Sequence, residues 1–137
     1  MYNSLVTIVS NKEKILIDIN SIISICDYCS GVEFLLDGAL TNSIHIQHYY
    51  TNEMTWDDIT KNLFFRLKEV EKEKFIQTRT HTITRPKDYD VNIIFNKKYI
   101  IMAHPQKNDK TKSVIMLKSG EKAIDMSIDK LSELLGR

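Results

Sequence analysis

The residues best suited to chemistry are two cysteines and two histidines. Cys26-x-x-Cys29, followed by His45-x-x-His48, has the residue types and the CxxC spacing of a tetrahedral zinc shell. The second pair argues against it. On a regular strand, positions 45 and 48 point to opposite faces, so both imidazoles reach one metal only across a bulge or a turn. The plainer reading is a reduced, half-buried Cys26 that ends an apolar run and a Cys29 in a loop, so neither a metal nor another cofactor is expected. A redox pair is disfavoured because Cys29 begins no helix that would lower its pKa.

A second candidate is a row of cations. Thr78, Thr80, Thr82 and Thr84 alternate with Arg79, His81, Ile83 and Arg85, a period that makes poor helix and good strand. Arg79, His81 and Arg85 then share one face, with Lys87 just beyond, and such a row can clamp a phosphate or a carboxylate. The same charges also suit a solvated edge strand that resists edge-to-edge aggregation, and no Gly-rich phosphate loop accompanies them. The acids offer less. Asp18, Asp37, Asp57, Asp58, Asp125 and Asp129 are spread over strand, turn and helix-start positions, each with a local explanation. Without a Ser/His/Asp elbow, a metal-hydrolase helix or a nuclease-type acidic strand, the chain is not expected to be an enzyme.

The elements that must position these residues suggest a unit used twice. Val6 to Ile17 lies without a gap over Val91 to Met102, with identical residues at Val6/Val91, Ile8/Ile93, Asn11/Asn96, Lys12/Lys97 and Ile15/Ile100. Each copy reads as a hairpin with a polar turn, then a second hairpin turning at Asp37-Gly38 or Ser119-Gly120, then a helix from Thr55 or Ser127. Thr55, Asp57 and Asp58 suit a helix start, and Trp56, Ile59, Leu63, Leu67 and Val70 recur as one apolar stripe. The strands 99–103 and 114–117 have no polar face, which predicts burial on both sides. The fold expected is α+β: two copies of a double β-hairpin plus helix in one antiparallel, sheet-rich domain. Residues 1–74 form the first unit, 75–90 a linker and edge strand, and 91–137 the second unit.

The run Ile15-Leu16-Ile17-Asp18-Ile19-Asn20-Ser21-Ile22-Ile23-Ser24-Ile25, then a hairpin, then Thr55 into a helix, resembles the small FlbD-like proteins of flagellar operons. The resemblance covers residues 5–70. It implies a non-enzymatic accessory protein, and it carries over no functional residue. The second half lacks the Asn-x-x-Ile segment, and the doubled length departs from that family.

Composition bounds the rest. With 19 basic and 18 acidic residues the formal charge is +1, which sets duplex nucleic acid at a disadvantage as a partner. Two cysteines among 137 residues argue against a disulfide scaffold. No apolar run is long enough for a membrane span and the N-terminus is no signal peptide, so a cytoplasmic location is expected, in a low-GC bacterium or the host of a phage. Leu35, Tyr49, Tyr50 and Phe65 put large apolar groups on both sides of their elements, a surplus that points to another chain. The function expected is therefore a non-catalytic binding or assembly module acting through self-association or a protein partner. The alternative is a protein that sequesters a nucleotide or other small anion on Arg79, His81 and Arg85.

Overall fold

The structure, a computed structural model, describes residues 5–28, 31–38, 46–64, 66–81 and 91–136. The first alternating stretch forms a hairpin of its own, β1 (Leu5–Ser10) against β2 (Glu13–Asp18), in register from Leu5 opposite Asp18 to Ser10 opposite Glu13. Its two-residue turn puts Asn11 at φ 53° and Lys12 at φ 62°. This left-handed pair matches strand twist and suits Asn better than Lys. Glu53 stabilises it, because both of its carboxylate oxygens lie 3.0 Å from the Lys12 N–H. Val6, Ile8 and Ile17 turn inward from this hairpin.

The other strands are β3 (Ile22–Tyr28), β4 (Gly31–Asp37), β5 (Ile46–Thr51), β6 (Phe75–His81), β7 (Val91–Asn96), β8 (Ile100–Gln106), β9 (Asp109–Leu117) and β10 (Gly120–Ile124). They make one antiparallel sheet in the order β5-β4-β3-β7-β6-β10-β9-β8. Among the described residues β10 joins β6 through Ala123 opposite His81 and Ile124 opposite Thr80. Beyond that short join β8, β9 and β10 fold back over the central strands. The result is three layers with two cores. Ile22, Ile25, Phe34 and Ile94 face the β1–β2 hairpin, while Ile23, Leu35, Ile93 and Phe95 face Ile115, Leu117 and Ile124. A hydrogen bond from the Tyr99 hydroxyl to the Asn20 carbonyl (2.8 Å) and an ion pair between Lys118 and Asp37 (2.7 Å) tie the outer layer down. Burial, then the neighbouring Asp37, pushes the Tyr99 phenol up to about 12.

The antiparallel, sheet-rich α+β class holds, but the strand pairing differs from the aligned repeat. Val6–Ile17 is a hairpin, whereas β7 and β8 do not pair with each other: β7 lies between β3 and β6, and β8 pairs with β9. A 3-10 turn separates β7 from β8 at Lys97–Tyr99, and its counterpart is Ile19–Ser21 between β2 and β3. The two turns are capped alike. The Asp18 carboxylate accepts the Asn20 N–H (2.9 Å) and the Asn96 amide oxygen accepts the Lys98 N–H (3.1 Å). Two-sided burial also falls elsewhere than expected. β8 ends the sheet and leaves Ile101 66% and Met102 50% exposed, while β3, β4 and β7 are apolar on both faces because a core lies on each. The segment expected at the sheet margin is β6, which sits inside the sheet between β7 and β10.

Thr55 begins its helix as predicted. Its hydroxyl accepts the Asp58 N–H (3.2 Å), and the Asp58 carboxylate accepts the Thr55 N–H (2.9 Å), a reciprocal cap. The helix then winds as a π-helix over Asp58–Leu63, with the Phe64 N–H reaching back to the Ile59 carbonyl (2.8 Å). This wide turn aims Ile59, Leu63 and Phe64 together at the first core. The apolar stripe stops there: α1 (Glu69–Lys72) is a separate short helix whose Val70 is exposed. α2 (Ile128–Leu134) follows its sequence reading, capped by Ser127, burying Leu131, and ending before Gly136 at φ 78°.

Candidate nucleic-acid interface

Alternation along β6 sorts its side chains. Ile76 and Thr80 are buried and Thr78 lies opposite buried Ile93, so the threonines line the second core. Arg79, between them, is exposed on the other face, opposite Asn92 of β7. Asn92 is itself held at two points. Its backbone N–H and its side-chain amide each donate to an oxygen of the Asp27 carboxylate, both at 2.9 Å. This clasp fixes the start of β7 to the end of β3.

The join between β6 and β10 brings a further corner to the same end. The Asp125 N–H donates to the Arg79 carbonyl (2.9 Å), and the Ser113 hydroxyl donates to the Met126 carbonyl (2.6 Å). Lys112 pairs with Asp125 at 3.6 Å, and Lys130 projects from the first turn of α2, exposed and 4.0 Å from the Glu133 carboxylate. One end of the central sheet thus gathers the end of β3, the end of β6, the start of β7 and the β10–α2 corner. Arg79, Lys112 and Lys130 stand around this end on well-anchored elements, the two lysines beside carboxylates, and three such cations can meet oxyanions spaced along a backbone.

Of the cationic row, Arg79 stands on this rim and the His81 backbone pairs with Ala123, while Arg85 and Lys87 lie outside the described residues. Asn92, Asp27, Lys112 and Lys130 carry no local signature. Only the β3–β7 and β6–β10 pairings bring them here.

The proposed partner surface disperses. Leu35 is 6% exposed and belongs to the second core, and Tyr49 packs on the first. Tyr50 is half-exposed and lies over Gly31, where any side chain would collide with its ring and with the Thr51 carbonyl. Phe65 lies outside the described residues.

The alternative zinc set also disperses. Cys26 is buried in β3, and its thiol is pushed up to about 11, chiefly by burial, with Lys122 opposing and Glu33 and Asp27 adding to the rise. A thiol so held is a poor source of the thiolate that zinc needs. His48 is exposed on β5 beside Glu33 (3.7 Å), and Cys29 and His45 lie outside the described residues. Among the described residues no three His, Cys, Asp or Glu side chains gather where a metal could sit. No helix there is long and apolar enough to cross a membrane.

Neither a protein family nor a curated protein matches the chain. One solved structure does. It is the LytTr DNA-binding domain of a response regulator from Bacillus cereus, similar over 98% of both chains with a TM-score of 0.54 at 12% sequence identity. This likeness of fold overturns two expectations: the module acting by self-association, protein contact or anion sequestration, and the low standing given to duplex nucleic acid.

Proposed function

We propose that the chain binds duplex DNA, without a catalytic step, through the end of the central sheet rimmed by Arg79, Lys112 and Lys130. The observation that carries this reading is the likeness of fold, over nearly the whole length of both chains, to a DNA-binding domain. The rim supports it independently. Arg79 stands exposed near the end of β6, with Lys112 and Lys130 at the adjoining corner. Phosphate contacts from such a rim fix orientation and make affinity depend on salt, while base contacts supply specificity. A formal charge of +1 leaves little general attraction, so affinity should come from this end alone.

The test is selection from a random duplex pool, followed by anisotropy titration of the enriched sequence at several salt concentrations. The expected result is enrichment of a defined sequence and a linear fall of log K with log salt. Arg79→Ala should weaken binding of all sequences and reduce the salt slope by about 1. No retention of any duplex at low salt would overturn the reading.

A further inference from the structure

β7 runs from Val91, beside Asn92 at the proposed DNA end, to Asn96 at the opposite end of the central sheet. There a cavity of about 550 Å³ is lined by Asn20, Glu73, Lys74, Asn96, Lys97 and Lys98. We propose that this cavity is a seat for a phosphate group, separate from the Arg79 rim. The proposal does not rest on the DNA reading.

The backbone builds the cavity: the Lys97 N–H donates to the Lys74 carbonyl (2.9 Å), which brings the approach to β6 against the turn after β7. Lys74 is a fixed and partly neutralised cation, bonded to the Asn20 side-chain oxygen (3.0 Å) and paired with Glu71 (2.9 Å). Lys97 and Lys98 have no acidic partner among the described residues, and the Lys98 ammonium lies 5.1 Å from the centre of the Tyr99 ring. Glu73 is the opposing charge in the lining, one carboxylate against three ammoniums.

Asn96 supplies the second observation. It is 1% exposed, and its side-chain nitrogen is buried with no hydrogen-bond partner among the described residues. Its oxygen does the capping. In the matching turn a carboxylate, Asp18, does that work with no donor at all. The amide donor of Asn96 is therefore surplus to the turn, and a buried donor without an acceptor is costly. Asn96 belongs to the lining of this lysine-rimmed cavity, and a spare N–H donor just beneath such a rim suits a tetrahedral oxyanion, which offers several acceptor oxygens and a double charge.

The probe is inorganic phosphate at constant ionic strength balanced with chloride, read by thermal unfolding. At tenfold excess over its Kd, phosphate should raise the wild-type Tm by about 4–6 °C. Asn96→Asp keeps the cap, as Asp18 does, so its Tm in chloride should stay near wild type while the phosphate response disappears. The double variant Lys97→Ala/Lys98→Ala, at a half-buried and an exposed position, should also lose the response. Equal responses in all three proteins, as general salting would give, or no wild-type response, overturn the proposal. If Asn96→Asp fails to fold, the lysine pair together with phosphate-induced amide NMR shifts confined to 96–99 decides, and unshifted amides overturn it.

Two arms separate the sources of phosphate. About tenfold weaker duplex binding in the lysine pair assigns the seat to a DNA phosphate, and unchanged duplex binding assigns it to a free one. Loss of duplex binding in Arg79→Ala with the phosphate response intact would separate the two sites.

Discussion

The turn residue Lys12 sits in a left-handed conformation that disfavours a side chain, and the hairpin tolerates it because Glu53 takes its backbone N–H. Two substitutions separate these effects. Lys12→Gly creates an Asn-Gly turn and keeps the bond, so it should stabilise by about 0.5–1 kcal/mol. Glu53→Ala removes the acceptor and should cost about 1 kcal/mol. Both are read by denaturant unfolding, and a destabilised Lys12→Gly would show that the lysine side chain matters instead. Cys26 makes a pH prediction. Burial pushes its thiol from the ordinary 9.0 up to about 11, so between these pH values the folded state holds the proton more tightly than the unfolded one. The stability from this group is complete below the lower value and falls as pH rises through the upper. Tm measured from pH 8 to 11 should decline, and Cys26→Ala should flatten that decline; an unchanged slope would contradict the buried position.

Among elements, the π-helix over Asp58–Leu63 decides how the first core closes. Trp56, just before it, is half-buried and packs on that core, where a full helix would have carried the stripe on to Val70. Trp56→Ala should therefore cost less than a fully buried tryptophan, about 2–3 kcal/mol. Emission should be blue-shifted and only partly shielded from quenchers; full exposure to iodide would refute the packing. β6 shows how one strand serves two purposes. Its threonines hold the second core while Arg79, one residue out of phase, is exposed on the other face, so core and rim are built from the same alternation.

At the scale of the molecule, β3, β4 and β7 supply side chains to both cores, so neither core can open without exposing the other. Unfolding should be a single transition. Trp56 fluorescence reports the first core, and far-UV dichroism reports strands of both. Coincident curves are expected, and separated midpoints would mean that the β8–β10 layer unfolds on its own. The same layering explains why the apolar surplus of Leu35 and Tyr49 needs no second chain: a sheet covered on both sides consumes it.

Local chemistry was enough for what depends on neighbours in the chain. The Asn11-Lys12 turn, the Thr55–Asp58 and Ser127 caps, the alternation of β4 and the strand character of β6 all follow from side chains interacting within a few residues. Strand partners do not. Nothing near Val91–Met102 says that Lys97–Tyr99 turns the chain away, because Asn and Lys suit a hairpin turn and a capped 3-10 turn equally. For the same reason Arg79 was legible as a candidate, but its neighbours Asn92, Asp27 and Lys112 were not. Pairings between residues far apart in sequence set their positions, and those pairings are chosen by which faces two cores can bury at once. Tertiary structure alone decided that β6 lies inside the sheet, that Leu35 is core, and that Asn96, with an amide nitrogen unpaired among the described residues, shares a cavity lining with three lysines.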